Sequence, residues 1–167
     1  MKQNKRNLLI ISWILVFLWM VLIFYLSSQP SVESNNLSKK TTKAIIKIVE
    51  NKDVKNKNIY IDKKVIHLND IVRDYAHFFL YLILSILLCN ALFLSNKKIL
   101  YISILSILIS LLYSITDEIH QIFVPGRGSQ IQDVLIDVSG AFLGAIIYIL
   151  FINIFKKVKT FYIHKIL

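Results

Sequence analysis

The sequence predicts an all-α membrane protein: four transmembrane helices, with an amphipathic interfacial helix in the first loop. Three observations carry that expectation. The chain of 167 residues is 56% hydrophobic and holds only four Gly and two Pro. Its apolar residues come in unbroken blocks, not as one face of an amphipathic pattern. About 20 helical residues cross the hydrocarbon core of a bilayer, and four blocks approach that length, at 8–26, 75–94, 99–115 and 134–155. Residues 1–167 are therefore read as one membrane domain.

The first block follows Lys2, Lys5 and Arg6, as a secretory leader would. It exceeds the roughly 7–15 apolar residues of a leader core. The stretch FYLSSQPS that follows is a poor small-residue cleavage site, and Trp13 and Trp19 suit a retained helix. The block is read as an anchor. The first loop, 27–73, contains a Ser/Asn-rich start and then apolar residues mixed with lysines, which fits a surface helix near 37–49. A polar segment follows, with a short hairpin expected around Asp62 and Lys63.

Charge sets the orientation. With four crossings, the N-terminus, the turn SNKK at 95–98 and the C-terminus share one side. Those segments contain Lys2, Lys5, Arg6, Lys97, Lys98, Lys156, Lys157, Lys159 and Lys165 and no acid. The positive-inside rule puts both termini in the cytoplasm. The first loop has basic residues of its own, but they are interspersed with acids and mostly distant from the span ends, where the rule counts less. The net charge of +10 thus reports topology and attraction to anionic headgroups, with no nucleic-acid partner expected. The lone Cys89 excludes an intrachain disulfide and a thiolate metal cluster. With no nucleotide loop or metal signature in the chain, no cofactor and no metal are expected.

Alternate crossing also gathers the unusual residues. The end of span one (Ser27, Ser28, Gln29), the start of span two (Arg73, Asp74, His77), the end of span three (Asp117, Glu118, His120, Gln121) and the start of span four (Asp133, Asp137) fall on the same membrane face. Helical spacing sharpens this, because residues three or four apart share a face. Arg73, His77, Tyr81 and Ser85 form one polar stripe, and Ser106, Ser110, Ser114 and Glu118 another. Gly140 and Gly144 form a G-x-x-x-G pair, which lets a neighbouring helix approach closely. Between spans three and four, Pro125, Gly126 and Gly128 make a turn around Arg127, whose planar guanidinium suits phosphate or carboxylate.

Ionisable residues at membrane depth are costly and mark functional sites by default. The expected ligand-binding set is Ser28, Gln29, Arg73, His77, Asp117, Glu118, Gln121, Arg127, Asp133 and Asp137, with no catalytic residue assigned. A network that merely pins four helices together would use the same side chains.

Three stretches carry a resemblance: YLSSQPS at 25–31, VRDYAHFFLYLIL at 72–84, and TDEIHQIFVPGRGSQIQDVLIDVSGAFLG at 116–144. They look like the VanZ-like family of small bacterial membrane proteins, whose founding member is linked to low-level teicoplanin resistance. The third stretch matches through Asp117, Glu118, Gln121, Pro125, Gly126, Arg127, Asp133, Asp137, Gly140 and Gly144; the second matches at Arg73, His77, Phe78 and Tyr81 but departs at Asp74 and Leu80. The resemblance implies a multi-pass protein of the bacterial cell membrane whose partners are membrane lipids or a cell-wall precursor lipid, bound at the outer face. In that reading Arg127 and Arg73 hold phosphate while Asp117, Glu118 and Gln121 bond sugar or amide groups. Two other readings stay open, an acid–base or metal-assisted enzyme acting on an envelope lipid and a structural partner of envelope machinery. Homo-oligomerisation is also left open.

Overall fold

The chain is described by a computed structural model over residues 2–29, 60–95, 97–125, 127–128 and 130–166. Four helices follow in order: α1 (Lys2–Ser27), α2 (Tyr60–Leu94), α3 (Ile99–Gln121) and α4 (Ile131–Ile166). Each contains a stretch long and apolar enough to cross a membrane: Gln3–Ser27, Ile71–Leu94, Ile99–Gln121 and Ile131–Lys157. The architecture is an all-α membrane bundle, with no strand among the described residues.

The helices are longer than hydropathy alone suggested. α2 begins at Tyr60, so Asp62 and Lys63 lie inside a helix and the hairpin expected there does not form. α3 runs on through the charged stretch to Gln121, and α4 starts at Ile131. A charged side chain ends an apolar block without breaking backbone hydrogen bonding, so the polar cluster is carried on helices and not on their flanks. The interfacial helix expected at 37–49 falls outside the described residues.

α2 is the hub: it packs most extensively on α4, then on α1 and α3, whereas α1 and α3 barely touch. Two apolar clusters hold the interior. Val16, Ile23, Tyr81, Leu84, Leu88 and Ala91 join α1 to α2. Cys89, Leu92, Ile102, Ala145 and Tyr148 join α2, α3 and α4. Polar clasps cross the α1–α2 and α1–α3 seams. The Trp19 indole N–H donates to the Leu80 carbonyl at 2.9 Å, the Tyr113 hydroxyl donates to the Met20 carbonyl, and the Asn90 amide donates to Ser12 Oγ at 3.0 Å. Such interhelical bonds contribute roughly 0.6 kcal/mol each on average in membrane bundles.

α3 is built inside out. Its buried residues are Ile102, Ser106, Ser110, Ser114, Asp117, Glu118 and Gln121, while Leu100, Ile104, Leu108, Leu112, Ile115 and Ile119 face outward. Lipid tails solvate the exposed side chains, so the stripe that water would have favoured turns inward.

The α2–α4 seam is the tightest. A Cβ at Gly140 would collide with the backbone carbonyl of Phe78, and one at Gly144 with that of Leu82. Neither carbonyl can swing aside as a flexible side chain could. Gly140→Ala and Gly144→Ala are therefore each expected to destabilise the bundle by about 1–3 kcal/mol, measured by reversible denaturation in mixed micelles. Gly128→Ala, with nothing within 4 Å of the added Cβ, is the matched control and is expected to stay within about 0.5 kcal/mol of wild type.

Candidate functional site

The constant register of the α2–α4 seam sets out the site. One to two turns above the glycine contacts, Arg73 Nη2 meets Asp133 Oδ2 at 2.9 Å. One turn deeper, His77 Nδ1 lies 3.3 Å from Asp137 Oδ1, close enough for attraction but not aligned as a hydrogen bond. α3 closes the third side. Ser114 Oγ donates to Asp137 Oδ2 at 2.6 Å, so that carboxylate bridges α2, α3 and α4. α1 contributes through Ser27, whose hydroxyl donates to Asp117 Oδ2 at 2.6 Å. The Gln121 amide donates to the same oxygen at 3.3 Å.

Above these pairs, the α3–α4 connection folds back over the cluster. Successive turns, Phe123 N–H to His120 O, Val124 N–H to Gln121 O and Arg127 N–H to Val124 O, tighten the chain past the end of α3. Glu118 Oε2 then accepts the backbone N–H of Gln130 at 2.9 Å, tying α3 to the entrance of α4. Arg127 is brought within Coulombic reach of Asp117, Glu118, Asp133 and Arg73. Burial, and secondly the nearby Arg73, hold its pKa below the ordinary arginine value, while the three acids act in the opposite sense. A guanidinium remains charged at neutral pH even so.

Several polar atoms of this region lack partners among the described residues, as do the Tyr81, Ser85 and Ser110 hydroxyls deeper in the bundle. Arg127 Nε and Nη1 are both buried with no hydrogen-bond acceptor among the described residues. Asp117 Oδ1, Glu118 Oε1, Gln121 Oε1 and Asp137 Oδ1 are buried acceptors with no donor. An unsatisfied buried polar group costs about 1–3 kcal/mol, and more when charged. His120 takes another role: its ring packs on Phe24 with centroids 4.2 Å apart. Among the described residues, no group of three or more His, Cys, Asp or Glu converges closely enough to hold a metal ion.

Beside the cluster a polar groove of about 280 Å³ is lined by Arg73, Asp74, Gln130, Gln132, Asp133 and Ile136. Through Asp74 and Ile136 it adjoins a mainly apolar groove of about 400 Å³ that also includes Ile71, Tyr75, Phe78 and Ser139.

Eight of the ten residues expected at the site thus sit in this cluster: Arg73, His77, Asp117, Glu118, Gln121, Arg127, Asp133 and Asp137. Ser28 and Gln29 do not join it through a hydrogen bond; both side chains donate back to the Tyr25 carbonyl of their own helix. Ser27 makes the contact in their place. The signal for it was present, since Ser12, Val16, Ile23 and Ser27 recur at helical spacing on the buried side of α1. Ser114 and the Gln130 backbone are the other partners that motif reading left out of the site. Arg73 also differs from the expectation, because its guanidinium is already engaged by Asp133.

A family model described as VanZ-LLP1: VanZ/LLP1 matches residues 12–152, a span that covers every residue of the cluster. No curated protein and no solved structure matches the chain.

The Arg73–Asp133 pair is partly buried, with the two side chains 26% and 8% exposed. Arg73→Ala is expected to destabilise by roughly 1–3 kcal/mol, because it leaves the Asp133 carboxylate desolvated and unpaired. Asp133→Ala added to it should recover part of that loss. A double-mutant cycle followed by thermal denaturation in detergent measures the coupling, and simple additivity would contradict the pairing.

Proposed function

The chain belongs to the VanZ/LLP1 family, and we propose that it binds the headgroup of a polar lipid or cell-envelope precursor at the outer face of a bacterial membrane. The observation that carries this reading is Arg127. It is a permanent cation within the cluster, and its Nε and Nη1 are buried with no acceptor among the described residues. Folding a charged, donor-rich fork into such a place is unfavourable unless something outside the chain completes it. Phosphate and carboxylate match that fork in geometry. The unpartnered oxygens of Asp117, Glu118 and Gln121 then suit hydroxyl or amide donors on the same headgroup.

The adjoining grooves support an amphiphile over a fully polar solute. The polar groove reaches the cluster through Arg73 and Asp133, and the mainly apolar groove continues from it along α2 and α4. Arg73 serves in this scheme as a wall fixed by Asp133. The orientation follows from the lysines on the opposite membrane face, at Lys97, Lys98, Lys156 and Lys157, which favour the cytoplasm. Occupancy by an envelope lipid on the outer side would alter how a membrane-anchored glycopeptide antibiotic reaches its target, and so lower teicoplanin susceptibility modestly.

Expression in a sensitive Gram-positive host tests this. Wild type is expected to reduce teicoplanin susceptibility and Arg127→Ala to abolish the effect at equal membrane abundance. Because Arg127 Nε and Nη1 lack acceptors, the variant should keep its stability within about 1 kcal/mol of wild type. A helix-pinning network predicts the reverse, a clear loss of melting temperature. In a Cys89→Ala background, Gly128→Cys should react with an impermeant maleimide added outside intact cells and Ser95→Cys should not; inverted labelling would overturn the orientation.

A further inference from the structure

We infer a second lipid site on the membrane face opposite the cluster: a groove between α2 and α4 that seats an acyl chain of an anionic phospholipid and holds its phosphate at Lys156. This site does not depend on the headgroup reading above. The parallel register of the α2–α4 seam generates it. Gly140 lies against Phe78 and Gly144 against Leu82; carried on in the same direction, that register brings Phe93 beside Phe151 and Phe155. α2 ends at Leu94 whereas α4 runs on to Ile166, so α2 no longer covers α4 beyond that point. A groove of about 360 Å³ opens there, lined by Phe93, Phe151, Ile152, Phe155 and Lys156. The Phe151 and Phe155 rings stack with centroids 6.2 Å apart, and Phe93 meets Tyr148 edge-on at 6.4 Å. The walls are thus braced, while Phe151 and Phe155 stay exposed to whatever enters.

Lipid tails fill an apolar groove in a bilayer without preference, so selection among lipids comes from charge. The groove is polarised for it. Lys156 lies at its surface end, where span two finishes at Leu94 and span four at Lys157. Phe151 and Ile152 lie one turn deeper along α4. Lys97, Lys98 and Lys157 are exposed at the same end of the bundle. No acidic side chain belongs to that face: the ten Asp and Glu of the chain all fall within 33–74 and 117–137, in the first loop or towards the cluster. A lysine ammonium meets phosphate as a point charge, and basic pockets between helices at a membrane surface take anionic headgroups. A zwitterionic phospholipid fits the groove equally well but sets its own cation against the lysines. A soluble anion lacks the chain that the phenyl walls accept.

The test uses the full chain in mixed micelles, with native mass spectrometry counting retained lipid. Every sample carries Arg127→Ala, so that the cluster on the other face adds no phosphate contact from that residue. Phosphatidylglycerol is compared with phosphatidylcholine of the same acyl chains, and its retention is expected to be about five-fold stronger. Lys156→Gln should erase most of that preference, and Lys156→Arg should keep it. Phe151→Ala should weaken retention of phosphatidylglycerol, and unchanged retention there would remove the groove from the assignment. Equal retention of the two lipids, or a preference that survives Lys156→Gln, would overturn it. So would an equal loss in Arg6→Gln, which removes a charge of the same face outside the groove, because a diffuse basic field would then be selecting the lipid.

Discussion

The hydrocarbon interior offers no water to a buried polar group, and α3 is the helix on which that constraint bears hardest. From Ser106 to Gln121 its buried positions are all polar, and all but Ser110 bond to another group of the bundle through at least one side-chain atom. The other helices are disposed around that stripe. α1 brings Ser27 to Asp117, α2 brings His77 towards Asp137, and Cys89 on α2 donates its S–H to Ser106 at 3.2 Å. Apolar contact alone distinguishes few arrangements in lipid, because lipid tails are as apolar as the side chains they replace. Polar matching and close backbone approach therefore select the arrangement of these four helices.

Close approach and polar matching reinforce each other at the α2–α4 seam. Gly140 lies against Phe78 and Gly144 against Leu82, one turn further on in both helices. The same parallel register, continued towards the membrane surface, sets Asp137 opposite His77 and Asp133 opposite Arg73. A bulkier residue at either glycine would separate the helices, and the charged pairs lie within two turns of the contact. Ion-pair geometry at the surface thus depends on two missing side chains deeper in the membrane, which links packing directly to the electrostatics of the site.

The bundle was legible in the sequence because hydropathy, crossing parity and helical spacing need only chain order. Parity brought Ser27, Arg73, Asp117 and Asp133 to one face before any geometry was known. Pairings were not legible, since they depend on how each helix is rotated about its own axis. Nothing in the sequence says that Arg73 takes Asp133 or that Glu118 takes a backbone N–H at Gln130. The start of α3 at Ile99 was read correctly, but other helix ends were misjudged, at Gln121 for one, because charged residues were taken for boundaries. Ser27, Ser28 and Gln29 are adjacent at the end of α1, and only the rotation of that helix decides which of them turns towards Asp117.

A network evolved only to pin helices would be expected to close its hydrogen bonds, since each open one subtracts from stability. This cluster closes some and leaves others open. The bonds from Ser114 to Asp137 and from Ser27 to Asp117 tie helices together. Several of the open atoms, on Asp117, Glu118, Gln121 and Arg127, belong to the last turn of α3 and the connection that folds over it. Asp117 uses one oxygen for structure and leaves the other unmet, and Glu118 does the same. Carboxyls held rigidly by one oxygen present the second in a fixed direction, at little further entropic cost when a donor arrives. Under the proposed headgroup reading, that rigidity is what recognition would use.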